Sequence, residues 1–166
     1  MRAWRIGSDD EYIGCDGSAP AGYVLYDGPV RVGADDNLLM VWDGAPRPMT
    51  DAEVFVVSQT AAKDVITHRV RSRIHQVTGG VDTEMRGLRW AAQIAKKERD
   101  GDPVAGVWAA RKATVEALAV AVELIAVAGE SMDAEIDTLS TQADIDSYVA
   151  GLDDVPATAP RTVEWP

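Results

Sequence analysis

The side chains able to do chemistry are few and scattered through the 166-residue chain. His68 and His75 are its two histidines. Seven residues apart on a predicted helix, they share a face but stand roughly 10 Å apart along the axis, too far for one metal ion. They read as polar members of a basic helix face. Cys15 is the one thiol, which excludes an intramolecular disulfide and a multi-thiolate metal site and points to an intracellular folding compartment. A Cys/His nucleophilic pair is conceivable, yet nothing beside Cys15 in sequence activates the thiol. Asp133, Glu135 and Asp137, with Asp144 beyond, echo a calcium loop, but Thr138 stands where that loop turns on glycine, so the reading is a solvated acidic face. Gly14-Cys-Asp-Gly17-Ser18 has the spacing of neither a phosphate loop nor a nucleophile elbow and reads as a turn. The sequence therefore predicts no catalytic set, no cofactor, no metal site and no small-molecule substrate, and points away from an enzyme.

Composition narrows the partners. A net charge of -11 opposes nucleic-acid binding, which depends on Lys and Arg displacing counterions from phosphates. Basic residues crowd the segment from Lys63 to Lys112, and Arg161 is the only one after it, a polarity able to set the register of neighbouring subunits. The apolar run from Ala117 to Ala128 is broken by Glu123 and too short to cross ~30 Å of hydrocarbon, so no membrane span is expected. Met1 to Ile6 passes directly into Gly, Ser and acidic residues, without the apolar core of a signal peptide. Hydrophobic residues at 46% are enough for a core.

The punctuation predicts an α+β chain: a small antiparallel β module over residues 1–49, an α-helical bundle over 50–152 and an extended Pro-rich tail over 153–166. Tyr23 to Tyr26, Val30 to Val32 and Leu38 to Trp42, separated by Asp27-Gly28-Pro29 and closed by Asp43-Gly44, read as hairpins. Thr50 and Glu53 have capping-box spacing and open a helix at Thr50 or Ser58 that runs to Thr78, with Ala61, Ala62, Val65, Ile66, Val70, Ile74 and Val77 at helical intervals. A second helix, capped by Asp82 or Thr83, places Val81, Met85, Leu88, Ala92 and Ala95 on one face. Asp102-Pro103 is read as the start of a third, whose apolar positions run from Val104 through Trp108 to Ile125 with Arg111 as the polar break. Gly129 is read as its end, followed by two short acidic helices, Ser131 to Leu139 and Thr141 to Ala150.

Near Leu118 to Val127 the third helix is apolar almost all round, as in a bundle centre or an oligomer interface. The candidate partner contacts are Trp90, Trp108, Val115, Leu118, Val122 and Ile125, joined by Pro156, Pro160 and Trp165 of a tail suited to lie across a neighbouring subunit. Trp4, Tyr12, Tyr23, Tyr26 and Trp42 read as the core of the β module, with a stacking platform for sugars or proteins as the alternative.

Asn37-Leu-Leu-Met-Val-Trp42-Asp43-Gly44, followed by Arg47-Pro-Met49-Thr50-Asp51-Ala52-Glu53, resembles small tail proteins of tailed bacteriophages, including tail-fibre assembly and tail-accessory proteins, in which a Trp-Asp-Gly-like turn precedes a Met-Thr-Asp/Glu helix start. The resemblance implies a virion or virion-assembly protein of a phage, with protein partners and no cofactor. Taken with the apolar third helix and the tail, the expectation is a non-enzymatic virion structural protein, a tail or tail-fibre-associated homo-oligomer assembled in the host cytoplasm, with other virion proteins as partners. The alternatives are a tail-fibre assembly chaperone that leaves the finished virion, and a small carbohydrate-binding module or hydrolase.

Overall fold

The structure, a computed structural model, describes residues 2–9, 11–15, 17–33 and 38–166, and only the backbone of Val81 and Asp82. Its class is α+β, with, among the described residues, five strands at the N-terminal end followed by four helices. Two compact units divide at Met1–Val57 and Ser58–Pro166, so the boundary falls inside the first helix instead of at 49/50.

In the first unit β1 (Arg2–Arg5) is central, with β2 (Tyr12–Gly14) and β3 (Tyr23–Tyr26) antiparallel on either side. Successive strand residues face opposite ways, and because Ala3 and Trp4 are both fully buried, β1 is covered on both faces. Trp4 stacks on Tyr12 at 5.0 Å and meets Tyr26 edge-on at 6.3 Å. Tyr23–Tyr26 thus pairs with β1 and not with Val30 to Val32, as the sequence had suggested. The reason lies in Asp27-Gly28-Pro29: the Tyr26 hydroxyl donates to the Pro29 carbonyl at 2.7 Å, its ring fills the space a Cβ on Gly28 would need, and proline has no N–H for a ladder. Val32 keeps a single bridge to Leu38. A separate hairpin joins β4 (Met40–Trp42) to β5 (Pro46–Pro48) around Asp43-Gly44, and Asp9 accepts from the Trp42 N–H at 2.6 Å.

Helix α1 (Asp51–Thr78) opens on the capping box read in the sequence. The Glu53 N–H donates to the Thr50 hydroxyl at 3.3 Å and the Thr50 N–H donates to the Glu53 carboxylate at 2.8 Å. Arg47 holds the same carboxylate with two nitrogens at 2.9 and 2.8 Å, which drives the Glu53 carboxyl down to about 2, the Thr50 hydrogen bonds adding to the effect. This nucleus keeps β-branched Val54, Val56 and Val57 helical. Further along, Ala62, Ile66 and Thr78 are buried, while Val65 and Val77 stay exposed.

Helices α2 (Val81–Asp100) and α3 (Val107–Thr138) begin after glycines, Gly80 and Gly106, with no side-chain cap. Asp102 does not start α3, because its N–H closes α2 by donating to the Lys97 carbonyl at 2.9 Å beside the left-handed Gly101. Nor does Gly129 end α3. A Cβ there would lie 2.4 Å from Val70 Cγ2, so the glycine lets α1 and α3 approach closely, and the helix continues without a break into what the sequence suggested was a separate Ser131 to Leu139 segment. Helix α4 (Gln142–Ala150) starts at Thr141, whose hydroxyl accepts from the Asp144 N–H at 3.1 Å. Ile66, Ile125, Ala128, Met132, Ile136, Ile145, Tyr148 and Leu152 form the core of this unit.

Replacing Gly129 with Ala gains up to about 1 kcal/mol of helix propensity but overpacks a stiff β-branched neighbour, at a cost of about 1–3 kcal/mol. The expected result is a lower urea midpoint for Gly129→Ala, recovered when Val70→Ala is added; an unchanged or raised midpoint would mean that the helices do not touch there.

Candidate docking surface

The predicted contact residues lie largely within the chain. Arg111, the polar break in α3, places its guanidinium 5.2 Å from the Trp90 ring and 4.6 Å from the Trp108 ring, and Lys97 stands 5.6 Å from Trp108. A planar cation between two indoles satisfies charge and apolar surface together, so Trp90 and Trp108 clasp α2 to α3. Val115, Leu118 and Val122 line a groove of about 230 Å³ with Gly87, Leu88 and Ala91 of α2 and Ile74 and Thr78 of α1. Ile125 is buried. Val115, Leu118 and Val122, expected at a partner interface, are thus half-buried at the border of an open groove between three helices of the same chain.

The tail is also placed differently from expectation. Trp165 is buried against its own helices, its indole N–H donating to the Leu152 carbonyl at 2.9 Å and its ring lying 4.9 Å beneath the Arg73 guanidinium. Asp153 pairs with Arg69 at 2.7 Å and Arg73 at 3.1 Å, and buried Arg161 donates to the carbonyls of Val163 and Asp154. Pro156 is exposed and Pro160 half-buried. The indole supplies the apolar area, and Arg69 and Arg73 the charge pairing, that hold this polar segment against its own helices. The basic middle and acidic end of the sequence meet here and at Lys63–Asp137, 2.6 Å.

Glu135 joins these parts. Its carboxylate accepts from the Tyr148 hydroxyl at 2.6 Å, from the Thr162 N–H at 3.2 Å and from the Thr162 hydroxyl. Burial acts to raise this carboxyl, but the hydrogen bonds from Thr162 and Tyr148 outweigh it and hold the group below its ordinary 4.5. Two residues away, burial raises the Asp133 carboxyl against the pull of Lys63. The three acids read as a solvated face are therefore part of α3, with Glu135 and Asp137 tied to α4, the tail and α1.

The other sequence candidates do not converge. His68 and His75 are exposed along α1 beside an open depression with Arg69 and Ser72. Cys15 is half-buried in the first unit. Trp4 belongs to the β core, with the more exposed Tyr12 ring stacked against it. Among the described residues no group of three or more His, Cys, Asp or Glu is placed to hold a metal ion, and no helix is long and apolar enough to cross a membrane.

What remains outside is apolar. On α3 the face opposite the groove leaves Val120 60%, Leu124 51% and Val127 47% exposed, with Ala113 and Ala117 in line. On α2, Met85 is 48% and Leu88 59% exposed, with Ala92 and Ala95 alongside. The apolar face read on α2 thus stays open to solvent, with Leu88 at its edge also bordering the groove, because the helix packs through Gly87, Trp90, Ala91 and Ile94. The signal for the α3 stripe was present in the sequence as apolarity all round the helix; that for α2 was masked by Trp90 and Gly87, which do not register in an apolar count. Comparison of the chain with protein-family models, with curated proteins and with solved structures finds no match.

Arg111→Ala removes the cation from between two rings and is expected to cost about 1–2 kcal/mol, read from urea unfolding; Arg111→Lys, lacking the plane, recovers only part. An Arg111→Ala protein as stable as the parent would reduce the clasp to a surface contact. The tail should respond to acid. A carboxyl held below its ordinary value contributes stability that is complete above that value and is lost as pH falls through the folded-state value. The Glu135 contribution is therefore present above pH 4.5 and disappears below it, while Asp133 works in the opposite sense. Tryptophan emission of a Trp4→Phe, Trp42→Phe, Trp90→Phe, Trp108→Phe protein, leaving Trp165 alone, should shift red below pH 4.5, and Glu135→Gln should flatten the acid limb. An acid limb that Glu135→Gln leaves intact would assign the effect to other groups.

Proposed function

We propose that this chain is a structural docking protein of a bacteriophage particle, a tail or tail-fibre-associated component that works by contact with neighbouring virion proteins and carries out no chemistry of its own. The observation that carries the docking reading is the pair of outward apolar stripes on α2 and α3. Monomeric surfaces rarely leave rows of Val, Leu and Met at 45–60% exposure beside a packed core, and such rows are what protein interfaces cover. The phage assignment rests on the resemblance of Asn37 to Glu53. In the structure that stretch forms the β4–β5 turn and the capping box: Trp42-Asp43-Gly44 turns the hairpin, and Arg47 and Thr50 fix the helix start through Glu53.

Mass spectrometry of purified virions is the test. Peptides from both units at copy numbers comparable with other tail proteins are expected. Presence in infected-cell lysate with absence from particles would move the chain to the assembly-chaperone class, and absence from both would remove the phage assignment.

A further inference from the structure

The apolar stripes of α2 and α3 share a pattern. Met85, Leu88, Ala92 and Ala95 recur at intervals of three, four and three residues, and Ala117, Val120, Leu124 and Val127 repeat the same intervals. Each covers ten residue steps, ~15 Å of helix. We propose that a second copy of this chain covers them, the α2 stripe of one copy packing in parallel on the α3 stripe of the next. The inference rests on the docking reading and names its partner.

Size selects the orientation. With Met85 level with Ala117, the parallel pairs are Met85 with Ala117, Leu88 with Val120, Ala92 with Leu124 and Ala95 with Val127, so a small residue faces a larger one at three of four levels. The antiparallel alternative sets Leu88 on Leu124 and Ala95 on Ala117, a bulge beside a gap, which close packing disfavours.

Charge selects the same register. Glu116 and Glu123 each precede a stripe residue of α3 by one position, and Arg89 and Lys96 each follow one of α2. In a parallel helix pair these are the flanking places that meet across the seam, one heptad onward. Glu116 then faces Arg89 and Glu123 faces Lys96. All four are exposed. Within one chain Glu116 lies 3.9 Å from Lys112, and Lys96 lies 2.5 Å from Asp100, exposed pairs that are cheap to exchange. An α3-to-α3 pairing offers the glutamates no cation, because the opposing places, Ala121 and Ala128, are alanines. An α2-to-α2 pairing puts Met85 on Met85 and leaves alanine on alanine at the other end. Because the two stripes sit on different helices of each copy, the contact is head-to-tail and generates a ring or an open array.

The test is the mass of the full chain by light scattering, with circular dichroism confirming the fold of each variant. The parent should exceed monomer mass at tens of micromolar. Arg89→Glu with Lys96→Glu should dissociate it, and so should Glu116→Lys with Glu123→Lys, each by at least roughly tenfold in Kd, the equivalent of ~1.4 kcal/mol. Mixing the two variants should restore association, and the protein carrying all four changes should associate alone. A monomeric parent, or a four-fold variant that stays monomeric, overturns the proposal. Retention of association by the Glu116/Glu123 variant overturns it in favour of an α2-to-α2 contact. A monomeric parent still recovered in virions overturns the copy-to-copy contact while leaving the docking reading intact.

Discussion

Helix α3 carries apolar side chains on opposite sides, and the chain covers only one of them. Its groove side shares an open groove with α2 and α1 at Val115 and Leu118 and approaches α1 at Gly129, where the missing side chain makes room for Val70. The opposite side, Val120 to Val127, is left to solvent among the described residues. Burial of apolar area is the main favourable term in folding, and a side left open keeps that term available for association. The residues that would have made the most obvious anchors, Trp90 and Trp108, are engaged with Arg111 instead.

Much of the architecture was legible because local rules and tertiary demands agree. The Thr50 and Glu53 spacing gave the start of α1, Gly79-Gly80 its end and Gly151 the end of α4, and in each the backbone chemistry of the terminus decides the outcome. Where a residue serves two purposes, spacing misled. Asp102 resembles a helix cap, but its N–H was already committed to terminating α2. Gly129 resembles a stop, yet it is a point of close approach, and no local rule distinguishes the two without the neighbouring helix. The partner of Tyr23–Tyr26 is set by long-range pairing with β1, which a turn signal at Asp27-Gly28 cannot reveal.

The face assignments show the same limit. An apolar count on α2 favours Met85, Leu88, Ala92 and Ala95, four residues of helical spacing with no charge among them. The side that packs is the one bearing Gly87, Trp90 and Lys97, because glycine admits a neighbour and a lysine stem can lie over an indole. Arg111 is the mirror case: it reads as an interruption of α3 and in fact lies between two rings. Aliphatic periodicity has no means of crediting a cation held by aromatic faces. The tail was misread for a related reason, since its composition is that of a mobile segment and its order depends on one indole and three arginines, Arg69, Arg73 and Arg161.

Glu135 ties α3 to Tyr148 of α4 and to Thr162 of the terminal segment through a single carboxylate. Three pieces that share one acceptor cannot come loose one at a time without leaving a half-buried charge short of donors, so each opening is discouraged by the other attachments. In amide exchange with deuterated solvent the last dozen residues would therefore open together with α4 as one cooperative block, where a chain end ordinarily frays residue by residue.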